Sequence, residues 1–140
     1  MSTLISAINA SASALDAQRA RMEVAVSNLA NAESTRSANG EPYRRREVVL
    51  ESAPVGASTA GGFEAHGVRV AAVLEDQAAF RRRYEPSHPD ADAEGYVSEP
   101  NVDVPEEMVD MLGAARAYQA NLTAIGLIRD TIQKALDLAK

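Results

Sequence analysis

DVPEEMVDMLGAARAYQANLTAIGLIRDTIQKALDLAK, residues 103–140, is the stretch whose reading decides the fold. Taken at alternating steps of four and three from Val104, it yields Met108, Met111, Ala115, Tyr118, Leu122, Ile125, Arg129, Ile132, Leu136 and Ala139. A repeat near 3.5 residues held this long marks a helix that lies along a partner helix. The stripe is broken once, at Arg129, where Ile128 stands beside it. Asp103 followed by Glu106 reads as a capping box, Pro105 suits a first turn, and Glu106, Glu107 and Asp110 favour the positive helix end. Between Ala117 and Ile128 there is no charge at all. A helix with one buried face normally keeps the other charged. Two readings stay open: a bland alanine-rich wet side, or a helix covered on several sides by neighbouring helices.

The N-terminal segment carries the same alternation through Leu4, Ile8, Ser11, Leu15, Gln18, Met22, Ala25 and Leu29, with Ile5, Ala12 and Val26 alongside. Two long helices with such stripes should pair, as an antiparallel, coiled-coil-like core or with copies in other subunits. At about 1.5 Å per residue, helices over 3–30 and 105–139 form rods of ~40 Å and ~50 Å, longer than the ~30 Å of a small domain. An elongated molecule is expected. The first turns are rich in serine and asparagine, which are poor helix formers. Residues 1–15 are therefore expected to be disordered in the free chain and helical only against a partner.

Between the helices the character changes. The span 32–102 holds most of the charge and most of the prolines and glycines. Asn39-Gly40 marks a turn, Tyr43 to Glu51 reads as a strand, Ser52 to Gly62 as a loop, Gly67 to Leu74 as a second strand and Phe80 to Tyr84 as a third. The fold class is thus mainly α with a small β-rich insert. The terminal helical domain comprises 1–31 and 103–140, and the insert comprises 32–102.

Composition narrows the function. The 140 residues suit one compact domain, or a small domain with long helical extensions. With no cysteine there is no disulfide framework, thiol nucleophile or cysteine metal site. A net charge of −6 argues against nucleic acid as a partner. The start reads as carrying no cleavable secretory signal, because Arg19 is the first basic residue, and it is too short and polar to insert in a membrane.

Four motifs tempt a sharper chemistry. Asp90-Ala-Asp92-Ala-Glu94-Gly95 opens like a calcium loop, but Asn101 stands where a bidentate glutamate is needed and prolines replace the flanking helices. A solvated acidic loop accounts for it. Ser87-His88-Pro89-Asp90 has the residue types of a hydrolase triad, yet neighbours in an extended chain point apart and a triad needs convergent groups. His66 reads as a lone loop histidine. No catalytic, cofactor-binding or metal residue is assigned, and the chain is not read as an enzyme. Arg44-Arg45-Arg46 and Arg81-Arg82-Arg83 are either solvated strand residues paired with Glu47, Glu51, Glu75 or Glu85, or a basic patch for an acidic neighbour. Asn121-Leu-Thr123 matches a glycosylation acceptor but lies inside the helix.

Several stretches resemble the bacterial flagellar basal-body rod and hook axial proteins. Met22-Glu-Val-Ala-Val-Ser27-Asn28-Leu29-Ala30-Asn31-Ala32 is similar to the family's asparagine-rich N-terminal signature. Met108-Val-Asp-Met-Leu and Ala115-Arg116-Ala117-Tyr118-Gln119-Ala120-Asn121 are similar to its terminal helix motif. Pro42-Tyr43-Arg44-Arg45, the run from Tyr84 to Val97, and Pro100-Asn101-Val102 resemble a proximal-rod member. The chain departs at Asn28, where the family often has two asparagines, and at Gln119, where it has glutamate.

The resemblance implies a structural subunit, exported by the flagellar type III apparatus and stacked helically into a drive shaft that crosses the periplasm in the basal body. Its implied partners are copies of itself, other rod proteins, the rod–MS-ring junction protein and, transiently, the export apparatus. The residues expected at protein interfaces are Leu4, Ile8, Leu15, Met22, Asn28, Leu29 and Asn31 on the first helix. On the second they are Met108, Met111, Arg116, Tyr118, Asn121, Leu122, Ile125, Ile132 and Leu136. A competing reading, a soluble coiled-coil adaptor or export chaperone at a membrane apparatus, shares the helices but predicts a discrete cytoplasmic oligomer.

Overall fold

The computed structural model describes residues 2–55 and 65–138. Helix α1 spans Ser2–Ala30 and helix α2 spans Val104–Leu138. Between them lie β1 (Arg46–Pro54), β2 (His66–Glu75), β3 (Arg81–Tyr84) and β4 (Tyr96–Glu99). They form two separate antiparallel ribbons, β1 with β2 and β3 with β4. The first ribbon pairs Val49 with Ala72 and then Leu50 with Val70. Ala71 is left over as a bulge, which sharpens the local twist.

The helices run antiparallel. Asn28 bonds Glu107, and the earlier Arg21 lies 3.9 Å from the later Asp110. Their interior is built from small side chains, with Ala17, Ala25 and Ala114 buried. A second buried cluster lies at the insert, made of Tyr43, Val97, Pro100 and Val102. Helix α2 starts as its sequence dictates. Asp103 Oδ1 accepts the Glu106 N–H at 3.2 Å, and the Glu107 N–H donates to the Asp103 carbonyl at 3.0 Å. The Glu106 side chain turns toward Arg45, at 3.9 Å.

The first ribbon lies against α1. Ser13 Oγ donates to the Ala10 carbonyl at 2.7 Å and accepts the Val68 N–H at 3.0 Å. Gly67 is buried there, and a Cβ on it would overlap Ser13 Oγ and Val55 Cγ1. This docking corrects one expectation. Residues 2–15 are helical here, with Leu4, Ile8 and Leu15 half-buried. Packing that the serine-rich composition cannot supply comes from elements of the same chain.

The strands also differ in detail. The first expected strand begins at Arg46 rather than Tyr43, because the Tyr43 ring is buried and Arg45 is drawn into contacts described below. It runs on to Pro54, so Ser52 to Pro54 are strand rather than loop. Of the expected loop, residues 56–62 lie outside the described residues. His66 opens β2 instead of sitting in a loop. The sequence reading missed β4. Its four residues follow the acidic loop directly, and only the burial of Val97 gives it a core contact.

Candidate assembly interface

Two features bear on assembly: the joint that fixes the insert to the helices, and the helix faces that nothing among the described residues covers.

At the joint, Asn28 is 1% exposed and fully satisfied. Its Nδ2 donates to the Arg46 carbonyl and to Glu107 Oε2, both at 2.9 Å. Its Oδ1 accepts the Arg46 N–H and the Tyr43 hydroxyl, also at 2.9 Å. The side-chain amide therefore pairs with the backbone of Arg46 as a neighbouring strand would. Glu107, 2% exposed, accepts the Arg45 Nε–H on its other oxygen at 2.5 Å. Burial works against the Arg45 charge, but the hydrogen bond and charge of Glu107, helped by Glu106 and Glu47, outweigh it and raise its pKa. Asn101 completes the joint, accepting the Arg45 N–H at 2.9 Å and donating to the Asp76 carbonyl at 3.2 Å. None of Tyr43, Arg45, Asn101 or Glu107 was among the expected interface residues. Tyr43, Arg45 and Asn101 were marked only by their place in stretches that resemble a proximal-rod member, and Glu107 only as an acid in the first turn of α2.

The acidic loop between β3 and β4 spends its carboxylates internally. Asp92 Oδ1 accepts the Tyr96 and Glu94 N–H groups, each at 2.9 Å, and Oδ2 meets Arg82 at 2.7 Å. The Tyr96 N–H, then those of Glu94 and the Arg82 side chain, hold the Asp92 carboxyl below the ordinary carboxylate range. Asp90 takes Thr35 and Arg36. No metal-holding group of three or more His, Cys, Asp or Glu occurs among the described residues. His88 Nδ1 caps the Asp90 N–H at 3.1 Å, which leaves the Ser87–His88–Asp90 run as a turn. The arginine runs are locally engaged: Arg44 lies over Phe80, Arg81 meets Asp103, Arg82 meets Asp92, and Arg83 meets Glu85 and Glu99. Glu51 pairs with Arg69 rather than with a residue of the runs. Asn121 and Thr123 bond back to their own helix at Ala117 and Gln119.

On α2 the side turned to α1 is read from burial. Glu107 and Ala114 are buried, and Met111, Tyr118, Asn121, Ile125, Ile128 and Ile132 are half-buried. The steps between these positions are four and three throughout. The expected period holds, but alternate members are shifted by one residue: Met108, Ala115, Leu122 and Arg129 are exposed. The break at Arg129 thereby disappears, since Ile128 is the seam residue.

Apart from the half-buried Ala117 and Ala124, the rest of α2 is open among the described residues. Met108, Leu112, Ala115, Gln119, Leu122 and Gly126 form one exposed strip, and Val109, Gly113, Arg116, Ala120 and Leu127 form another. Leu127 and Val109 are 63% and 68% exposed. Helix α1 is the better covered of the two. Among its residues from Leu4 onward, only Ile5, Asn9, Ala12, Asp16, Arg19, Glu23, Val26 and Ala30 are exposed, a single strip of the same four-three spacing. The expected interface residues therefore fall into groups. Leu4, Ile8, Leu15, Met22, Leu29, Met111, Tyr118, Asn121, Ile125 and Ile132 are half-buried within the chain. Asn28 belongs to the joint, and Asn31 closes the end of α1 by donating to the Ser27 carbonyl at 2.9 Å. Met108, Arg116, Leu122 and Leu136 remain exposed. No helix among the described residues is long and apolar enough to cross a membrane.

Residues 93–138 match the family model described as flagellar basal body rod FlgEFG protein C-terminal. The flagellar basal-body rod protein FlgC of Bacillus subtilis (strain 168) is 44% identical, with 99% of each chain covered. That of Salmonella typhimurium is 43% identical over 98% of each chain, and that of Borreliella burgdorferi 38% over 95%. The chain belongs to the flagellar basal-body rod protein FlgC family.

Proposed function

We propose that this chain is a structural subunit of the flagellar basal-body rod, and that the outward faces of α2 are the surfaces through which it assembles. The observation that carries the assembly reading is the uncharged run from Ala117 to Ile128, of which Gln119, Ala120, Leu122, Thr123, Gly126 and Leu127 are exposed in the single chain. Such a patch on a helix marks an interaction site. Met108, Val109, Leu112, Leu122 and Leu127 are all large and exposed. Covering the exposed half of each contributes about 1 kcal/mol, or ~5 kcal/mol together. That gross gain is near the low end of the ~4–15 kcal/mol cost of bringing two molecules together. One pairwise contact is thus weak, and stability comes from several neighbours closing over each subunit at once.

On this reading the paired helices form an elongated, coiled-coil-like axial layer in the proximal rod and the insert faces outward. Copies of the chain and other rod proteins cover α2, the rod–MS-ring junction protein is a neighbour, and the chain arrives through the flagellar type III export apparatus. Torque passes through many small contacts, each of order 0.1 kcal/mol per atom pair and rigid in sum. The test is Met108→Asp combined with Leu122→Asp. The free chain should keep its helicity while rods and motility are lost. Normal rods and motility in that double variant would remove the proposal.

A further inference from the structure

Arg116 is the only charge on α2 from Met111 to Ile128, and it makes no salt bridge or hydrogen bond among the described residues. It stands in the exposed strip of Val109, Gly113, Ala120 and Leu127, which at 3.6 residues per turn lies about 150° round α2 from the seam. A neighbour that closed over this strip without supplying a carboxylate would bury an unpaired charge, which is strongly unfavourable. The exposed strip of α1 lies opposite that helix's own buried residues, Ala17, Ala25 and Asn28, on the other flank of the helix pair. It carries one carboxylate that makes no salt bridge among the described residues, Asp16; the nearby Arg19 and Glu23 close on each other at 2.8 Å. The antiparallel register brings the two open charges level. Counted from Asn28 facing Glu107, Arg116 is nine residues along α2 (107 to 116) and Asp16 twelve back along α1 (28 to 16), a difference of about 5 Å in height. The apolar members match as well. Val109 and Val26 are each two residues from that point, and Leu127 and Ile5 are twenty and twenty-three.

We propose that a second copy of this chain lays its α1 strip on the Arg116 strip of α2, with Asp16 of one copy paired to Arg116 of the next. The inference rests on the rod-subunit reading and names one occupant of the open α2 faces. Since the two strips lie on opposite flanks, each copy offers a different one to either side. Such a contact is heterologous and propagates into a ring or helix instead of stopping at a dimer. A two-fold pairing of α2 strips about their middle would instead bring two Arg116 side chains together.

Both side chains are exposed, so reversing either charge is read on assembly and not on folding. Arg116→Asp and Asp16→Arg should each cut the yield of rods about tenfold or more while the helicity of the free chain stays unchanged. The reciprocal variant carrying both substitutions should recover most of that yield. The chain has no cysteine of its own, so Val26→Cys and Val109→Cys can be combined and treated with a short bismaleimide in purified basal bodies. The reagent should join copies into a ladder that extends beyond the dimer. Normal rods in either single variant, no recovery in the reciprocal variant, or no product between copies each overturn the pairing. Rods lost in the Met108→Asp, Leu122→Asp variant but not recovered by the reciprocal pair would leave the rod-subunit reading standing and remove this one.

Discussion

Asn28 shows what one residue can do at a crowded junction. Its amide uses two donors and two acceptors, on two elements and a strap between them. Asn28→Ala strands the Arg46 N–H and carbonyl and one Glu107 oxygen, and leaves the Tyr43 hydroxyl with Ser27 Oγ alone at 3.3 Å. Leaving buried polar groups unpaired costs about 1–3 kcal/mol, and a urea titration should read a loss of that size. Asn28→Asp should cost more near neutral pH, because it sets a second carboxylate against Glu107. Asp103 supplies a pH signature. The Glu106 N–H, then Arg81, hold its carboxyl below the ordinary range. A depressed folded-state pKa contributes stability that is present above the unfolded value and is lost as pH falls through the folded one. Thermal melts from pH 6 downward should therefore show stability falling only below the ordinary carboxylate range, with Asp92 adding in the same direction. Asp103→Asn should flatten part of that slope.

At the scale of elements, the two helices were legible because heptad spacing survives any local substitution. Asp103, Pro105 and Glu106 fixed where α2 begins. The phase of the stripe was not legible residue by residue. Leu122 and Ile125 are equally apolar, and only the position of Ala114 and Ile128 against α1 separates seam from outer face. An uncharged helix offers no polar side from which to take the phase. The joint was hidden for a related reason: Glu107 reads as an ordinary first-turn acid until Arg45 arrives from sixty-two positions earlier in the chain. Strand β4 carries no alternation of its own in four residues. These assignments separate two substitutions that look alike in sequence. Ile125→Asp buries a charge at the seam and should cost the free chain about 2–3 kcal/mol, while Leu122→Asp, out on the open face, should stay within ~0.5 kcal/mol. Denaturant unfolding of the two single variants measures the difference. Gly67→Val should cost about 1–3 kcal/mol by overpacking against Ser13 and Val55, and should release the β1–β2 ribbon from α1 while leaving the helix pair intact.

For the whole molecule, the balance of burial is the telling feature. Helix α1 shows one exposed strip, but α2 shows two, and those of α2 are nearly free of charge through the middle of the helix. The chain folds by enclosing α1 and leaves α2 unfinished. That division suits a rod subunit whose neighbours complete it. It also predicts a chain that stays monomeric when dilute and polymerises when crowded with its relatives, which sedimentation over a concentration series can follow. The most direct measurement uses the absence of native cysteine. With Leu122→Cys on the outer face, thiol-reagent modification is timed in the free chain and in purified basal bodies. The outer-face thiol should react fast in the free chain and be strongly protected in the rod. A Leu122→Cys thiol that reacts as quickly in basal bodies as in solution would contradict the claim that neighbouring subunits close over α2.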